Sequence, residues 1–543
     1  MKKLLTSLLF VLGLTAATYA QSQYQPYSFQ FYQKFSHDLY SPQTRAHTSI
    51  KPFFVDDSLL VDRYDSLMNY GTGNDGFVKR SWVHRKLFNE HLIDVRNNEY
   101  TFYADFLPDL TIGRDFSGKN TTWLNTRGFQ VGGTIGNKFS FYTSGFENQA
   151  RFPNYYDTYT QQQEMVSGQG NLTLNSLNKR TRDWSYVTAL LSYTPVKYLN
   201  ISLGMDKTFI GDGYRSMLLS DFAAPYPLLR LTGTLGNVRY MAMWTYMNDP
   251  TAKRFNPDDF RKKWGAFQYL DWNVSNRVSL GFFQSVTWAA QNEDGSSRGF
   301  DFNYINPFIF VRPLESSANR SPDNVNLGFT GKYEISNQIT AYAQLSLDEF
   351  EAKNFFSSNG SWRNKYGWQL GFRGADVFNV RSLNYLIEYN SARPYTFTER
   401  SSSIINYAHQ REPLGHPFGA NFREVVGIVN YSYQRFDFTF QGNYGMYGLD
   451  MNGLNYGKDI FKPYSTIIKE LDNRIGQGLR TNLYYFEPKV AFLLNPKYNL
   501  RIELGGIFRV EKNDVFNDKT SMISLGLRSS FRNVYNDISR LRL

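Results

Sequence analysis

Strict polar–apolar alternation, in runs of about ten residues, recurs from residue 100 toward the C-terminus, and no other feature restricts the fold as much. In 435–444, RFDFTFQGNY, Phe436, Phe438, Phe440 and Tyr444 share one side of an extended chain. Arg435, Asp437, Thr439, Gln441 and Asn443 share the other, because successive strand side chains point to opposite faces. Residues 498–510 set Tyr498, Leu500, Ile502, Leu504, Phe508 and Val510 against Asn499, Arg501, Glu503 and Arg509. Residues 338–348 set Ile339, Ala341, Ala343, Leu345 and Leu347 against Gln338, Thr340, Gln344, Ser346 and Asp348. Strands of this length cross a bilayer at a tilt.

A soluble sandwich also alternates, with its apolar face in a core. Two features favour a membrane barrel instead. Arg, Asp and Glu stand in mid-strand on the polar face, and Tyr and Trp gather near strand ends (Tyr240, Trp244, Tyr246, Trp272, Trp288, Tyr385, Tyr389), where interfacial girdles lie. The connections add a sharper signal. Tight turns near 136–137, 195–197, 236–237, 274–276, 336–337, 434 and 495–497 alternate with long polar segments near 147–183, 206–226, 248–262, 289–324, 349–364, 392–423 and 445–478. The link near 374–381 is intermediate. Short turns on one side and long loops on the other are the asymmetry of an outer-membrane barrel. Counting from a first strand near 100–109 to a last at 521–531 predicts an all-β transmembrane barrel of about 18 antiparallel strands.

The remaining segments fall around that barrel. Lys2 and Lys3, the apolar LLTSLLFVLGLTA and small residues to Ala20 read as a cleaved export signal over 1–20. Residues 21–98 form an N-terminal segment with a helix at SWVHRKLFNEHLIDV, Ser81 as its cap, and four of the six histidines: His37, His47, His84 and His91. An 18-strand barrel encloses an aqueous lumen unless filled, so this segment is expected to plug the pore or cap its periplasmic mouth. The barrel is assigned to 99–531 and a periplasmic tail to 532–543. His84 and His91 stand two helical turns apart, a spacing that suits a shared metal but equally suits plain surface histidines. No metal and no cofactor is expected.

Composition excludes several alternatives. With no cysteine in the chain, a lipidated N-terminus, disulfides and thiolate metal sites are ruled out. No stretch after the signal reaches the 18 or so apolar residues of a membrane helix. Net charge is +11. For an exported chain with scattered basic residues this points to acidic glycans or lipopolysaccharide rather than nucleic acid.

GDGYRS, residues 211–216, lacks the lysine and spacing of a phosphate-binding P-loop, and Ser216 stands where a dinucleotide loop has its third glycine. No G-x-S-x-G elbow exists. A hydrolase would need Ser216 with His409 or His416, or the acids Asp348, Glu349 and Glu351 as a glycosidase pair; charged loop bases that merely aid solubility are the simpler reading. As an extracellular loop, 206–226 would present Asp212, Tyr214 and Arg215 outward or to the lumen. A second loop, EPLGHPFGANFREV, presents His416, Asn421, Arg423 and Glu424. Aromatics with Arg and Asn suit sugar recognition; loops that fold over the lumen and lock one another are the alternative.

FIGDGYRSMLLSD–PYPLLRL, LDEF and HPFGANFRE, with HTSIKPF and RKLFNEHLI nearer the N-terminus, resemble RemB-like outer-membrane proteins of gliding bacteria, within the broader Wzi-like capsule-assembly family. The resemblance spans most of the chain after the signal. It implies an 18-strand barrel with an N-terminal helical part and no enzymatic activity. It also implies surface exopolysaccharide attachment (lectin-like, capsule assembly), or a role in gliding motility at the cell surface. Carried over by position, Asp212, Tyr214, Arg215, His416, Asn421 and Arg423 are the candidate glycan-binding or lumen-lining residues. Gly211, Gly213 and Gly419 are structural. The implied partners are surface polysaccharide, outer-membrane lipid or lipopolysaccharide, and gliding or secretion proteins. A gliding or secretion accessory barrel without glycan binding, and a gated porin, are the alternatives.

Overall fold

The computed structural model describes residues 23–55, 58–71, 80–256, 259–307, 323–349, 359–400 and 403–543; the expected export signal lies outside them. Eighteen long antiparallel strands close into one barrel. The last, Asn517–Arg528, returns to the first, Tyr100–Asp115, in register from Met522↔Asp115 to Arg528↔Asp109. That leaves the lower half of the first strand without a barrel neighbour. A short strand, Ile93–Arg96, covers it through Ile93↔Ala104 to Arg96↔Thr101. An open edge in hydrocarbon would leave backbone N–H and C=O groups unpaired.

Alternation along the strands sorts the side chains as expected. Ile112, Phe129, Leu191, Leu203, Ile387, Phe440 and Leu504 stand exposed on the outside, and Thr126, Asn148, Ser202, Gln344, Glu388 and Asn390 are buried within. The expected link asymmetry holds, with two departures. The links 116–119 and 513–516, on either side of the barrel seam, are short although they lie at the end that carries the long ones. One expected girdle residue is covered: Trp288 is buried under Phe300 and Tyr304 of the link that follows its strand. Trp244 Nε1 donates to Tyr304 O at 2.7 Å in the same patch.

The lumen is filled by the chain itself. Residues 23–55 enter it with two helical turns, Phe29–Tyr32 and Ser36–Leu39, the first capped by the Ser28 side chain accepting from Phe31 N. Phe29, Phe31, Tyr32, Phe35, Leu39 and Tyr40 form an aromatic core there with Phe209, Tyr214, Phe222, Tyr342, Tyr485 and Tyr535. Ile50–Lys51 pairs with Phe209–Ile210 as a miniature sheet. The next helix, Ser58–Met68, buries Leu60, Tyr64 and Met68, spaced four apart and so aligned on one face. The helix Trp82–Phe88 forms with Ser81 as its N-cap, as expected, but it ends well short of Val95, because Ile93–Arg96 pairs with the first barrel strand instead. Asn495 fixes it to the short-link rim by donating to Lys86 O and Glu90 O, both at 3.0 Å. Residues 23–55 therefore plug the lumen, and the described residues 58–71 and 80–96 meet the short-link rim through Asn69 with Lys497 and through Asn495.

The C-terminal tail differs from expectation. It is not a free periplasmic extension but threads the lumen. Tyr535, Asp537, Ile538 and Ser539 are buried. Arg540 reaches Asp518, at the far end of the last strand, and Arg542 Nε donates to Asp459 Oδ2 at 3.1 Å. The physical reason is charge and shape: inward-facing carboxylates line a path that this basic, aromatic tail satisfies.

Candidate functional site at the luminal GDGYRS node

The loop that follows the strand Leu199–Asp206 turns into the barrel, so GDGYRS lies at the centre of the lumen. Its glycines permit the approach. Gly211 has φ +139°, and a Cβ there would lie 2.0 Å from Gln344 Nε2. A Cβ on Gly213 would lie 2.1 Å from Glu388 Oε2. Without side chains in the way, Glu388 accepts from the backbone N–H groups of Tyr214 (2.9 Å) and Arg215 (3.1 Å), and from Tyr342 OH (2.8 Å). A mid-strand carboxylate of the barrel wall thus receives the loop's backbone donors.

Each side of the loop then holds one chain terminus. Asp212 accepts from Tyr40 OH (3.0 Å), Thr48 Oγ1 (2.5 Å) and Ser49 Oγ (3.1 Å), all from the N-terminal plug. Burial opposes charge on Asp212, but Lys332 and Lys51 outweigh it and hold the carboxyl below the usual range. Arg215, 1% exposed, donates through Nη2 to Glu424 Oε1 at 3.0 Å and to Asp537 Oδ2 of the tail at 2.6 Å. Gln441 and Asn443 complete the Asp537 shell at 2.6 and 2.7 Å. Tyr214 packs edge-on to Phe29 at 5.0 Å and lies 5.9 Å from the Tyr535 ring.

The second block joins the same node. His416 Nε2 lies 2.8 Å from Glu424 Oε2, and its Nδ1 accepts from Phe418 N at 3.1 Å. With Nδ1 accepting, the ring proton sits on Nε2 and is donated to Glu424. Gly419 takes φ +67° in the turn above, where its N–H donates to His416 O at 2.9 Å. Asn421 staples two long links together: its Nδ2 donates to Gly448 O and Gln477 O at 3.0 Å, and its Oδ1 accepts from Gly476 N at 2.7 Å.

Of the six candidate ligand residues, Asp212, Tyr214, Arg215 and His416 converge on one luminal cluster. Asn421 is buried nearby in the loop layer, and all five are engaged with protein groups. Arg423 points away: it is exposed on the outer face of its strand, on the same side as Val425 and Val429. Of the two arrangements open to these loops, the structure shows the one in which they fold over the lumen and lock one another.

Ser216 is not paired with a histidine. Its hydroxyl donates to Ile210 O at 2.5 Å and accepts from Leu218 N and Leu219 N. His409 Nε2 lies 3.3 Å from Pro225 O, and Asp348 accepts from Phe397 N beside Lys365. Glu351 lies outside the described residues. His91 is bound to Asp105 at 2.6 Å, while the His84 ring packs against Phe88.

Sequence reasoning missed the residues that hold the node together. Neither Glu388 nor Asp537 is among the candidate residues. The available signal for Glu388 was its place mid-strand on the polar face of LIEYN; nothing in NDISRLRL marks Asp537 as a partner for residue 215.

Burial pushes His416 down to about 4, despite Glu424, and Lys458 close by is pushed down to about 7. A histidine held neutral in the fold stabilises it fully above the unfolded value near 6.5, and that contribution is lost as pH falls toward about 4. The His416 contribution to stability is therefore expected to fall between about pH 6.5 and 4, by ~1.4 kcal/mol for each unit of separation. His416→Gln, which retains a donor toward Glu424, should flatten that slope; an unchanged profile by heat-modifiable gel mobility would remove His416 as its source.

No protein-family profile and no curated protein matches the chain. Among solved structures it is similar to Wzi of Escherichia coli, described as an outer-membrane protein involved in group 1 capsule assembly and a carbohydrate-binding β-barrel. The TM-score is 0.54 at 12% identity, over 94% of this chain and 100% of that one. OprD of Pseudomonas aeruginosa aligns with TM-score 0.41 at 9% identity, over 78% of this chain and 94% of that one. OccAB2 of Acinetobacter baumannii gives 0.42 at 6%, over 78% and 97%. The likeness to Wzi establishes a common outer-membrane-type barrel fold along nearly the whole chain.

Proposed function

We propose that this chain is a Wzi-like, non-enzymatic outer-membrane barrel that retains or organises surface polysaccharide through its long-loop face. The observation that carries this reading is the filled lumen. Residues 23–55 and the C-terminal tail enter it and are held at Asp212 and Arg215, so the barrel works as a rigid closed post rather than a conduit. Its useful surface is then outside. Basic and aromatic groups stand together there: Trp362 lies 4.8 Å from Tyr464, with Arg363 over the Trp362 ring, and the exposed Arg254 lies over the Phe260 ring at 4.3 Å. Flat rings and cationic forks are the chemistry that receives sugar faces and acidic substituents. The net charge of +11 favours an acidic glycan, and the solved relative with the same fold is described as carbohydrate-binding.

GDGYRS, by this reading, is the brace of the post and not its ligand pocket. Its burial among protein partners supports that division of labour. Deleting the gene in the native host is expected to shed polysaccharide from cells into the medium, with spreading on agar scored on the same plates. Full retention with lost spreading would overturn the attachment role in favour of the gliding apparatus.

A further inference from the structure

We propose that the helix Trp82–Phe88 and the short strand Ile93–Arg96 together form an interfacial foot, which docks the barrel into the lipid headgroup layer at its short-link rim. This rests on reading the chain as a membrane barrel, and it assigns a partner to a surface that the luminal node does not use.

The short strand supplies the first observation. Its pairing, Ile93↔Ala104 and Val95↔Phe102, puts Ile93 and Val95 on the outward side of the wall, the side on which Phe106 and Leu110 also stand exposed. The strand therefore extends the lipid-facing belt at the seam, where the last barrel strand has already ended.

The helix supplies the second. Trp82, Val83 and Leu87 are 59, 56 and 49% exposed, and Leu92 beyond the helix is exposed as well. At 100° per residue, positions 82, 83 and 87 fall within an arc of about 140°, so the three large apolar side chains share one face. Among the described residues, nothing covers this face. The opposite side is bolted down. Asn495 holds the carbonyls of Lys86 and Glu90, Lys86 Nζ donates to His91 O at 2.9 Å, and His91 and Leu92 N both engage Asp105.

Asn89 and His91, between the helix and Leu92, are buried, so the exposed apolar surface resumes at Leu92 and Ile93 and joins the belt there. Continuity with the lipid-facing wall selects a bilayer, rather than a soluble protein, as the occupant. The composition agrees: Trp82 at the helix start offers an apolar ring with a polar N–H, Arg85 on the flank pairs with Glu90, and Lys86, which falls within the apolar arc, tucks its ammonium under it onto Glu90 and His91 O.

The chain has no cysteine, so single nitroxide labels can be placed without background. Labels at Val83→Cys and Leu87→Cys, in barrels reconstituted into phosphatidylethanolamine–phosphatidylglycerol nanodiscs, would be compared with two references. Leu504→Cys reports the belt, and Leu174→Cys, in a long link, reports water. Expected is a ratio of oxygen to nickel-chelate collision at positions 83 and 87 several-fold above that at 174, approaching that at 504. Nickel access equal to that at 174 would overturn the proposal, and so would low access to both reagents, which would mean that protein covers the face. A water-like signal at 504 would instead remove the membrane-barrel reading and the foot with it. Heat-modifiable mobility identifies the folded labelled variants, and either of the two foot positions suffices.

Discussion

Arg215→Ala is expected to free the C-terminal tail from the lumen and to destabilise the barrel by about 3–5 kcal/mol, the cost of removing one partner from a buried ion pair. Arg215 is the shared cation of Glu424 and Asp537, and all three side chains are nearly inaccessible. Truncation leaves two buried carboxylates without their shared cation, so the structure must either solvate them or expel Asp537. Expulsion is the easier route. Residues 532–543 belong to no helix or strand, whereas Glu424 belongs to a strand hydrogen-bonded on both sides. Carboxypeptidase digestion of the folded protein measures this directly: residues up to Asp537 should be trimmed from the variant and protected in the parent. Arg215→Lys keeps the charge but not the fork, and should give intermediate protection. A tail equally protected in Arg215→Ala would show that the Tyr535–Asp221 and Arg540–Asp518 contacts suffice, and the node would lose its role as the lock.

Removing the N-terminal plug, residues 23–55, should convert a closed barrel into a conducting one. Barrels of 16–18 strands leave an aqueous channel when nothing fills them, and here the filling is largely this segment, with its ring of Phe29, Phe31, Tyr32, Phe35 and Tyr40. Its loss also strips Asp212 of the Tyr40, Thr48 and Ser49 hydroxyls, so the central loop should loosen as the pore opens. In planar bilayers the intact protein is expected to show no steady current and the truncated protein stable single-channel steps. Steady conduction by the intact chain would revive the gated porin. A silent truncated variant that still shows barrel mobility on gels would mean that the tail and the central loop alone occlude the lumen.

Much of this architecture is legible in the chain. The period of two in RFDFTFQGNY and its fellows is a local property, repeated in each strand, and it marks which side meets lipid. Turn chemistry at Gly136, Gly236 and Gln434, each with positive φ, marks where strands reverse. The Ser81 cap is equally local. The glycines of GDGYRS announced a loop with unusual demands, although their purpose, to let Gln344 and Glu388 touch the backbone, has no local signature.

What the sequence by itself determined is therefore the wall: an all-β barrel of about 18 strands, its lipid-facing side and the end with short turns. Only the tertiary structure decided what occupies the interior. A polar residue on the inner face is equally compatible with water, an ion or another stretch of chain, and the choice depends on partners far away in sequence. Arg215 and Asp537 are 322 positions apart, and Asp212 finds Tyr40 across 172. Periodicity reports where a side chain points. Which group meets it there is settled by long-range closure of the barrel around both of its own ends.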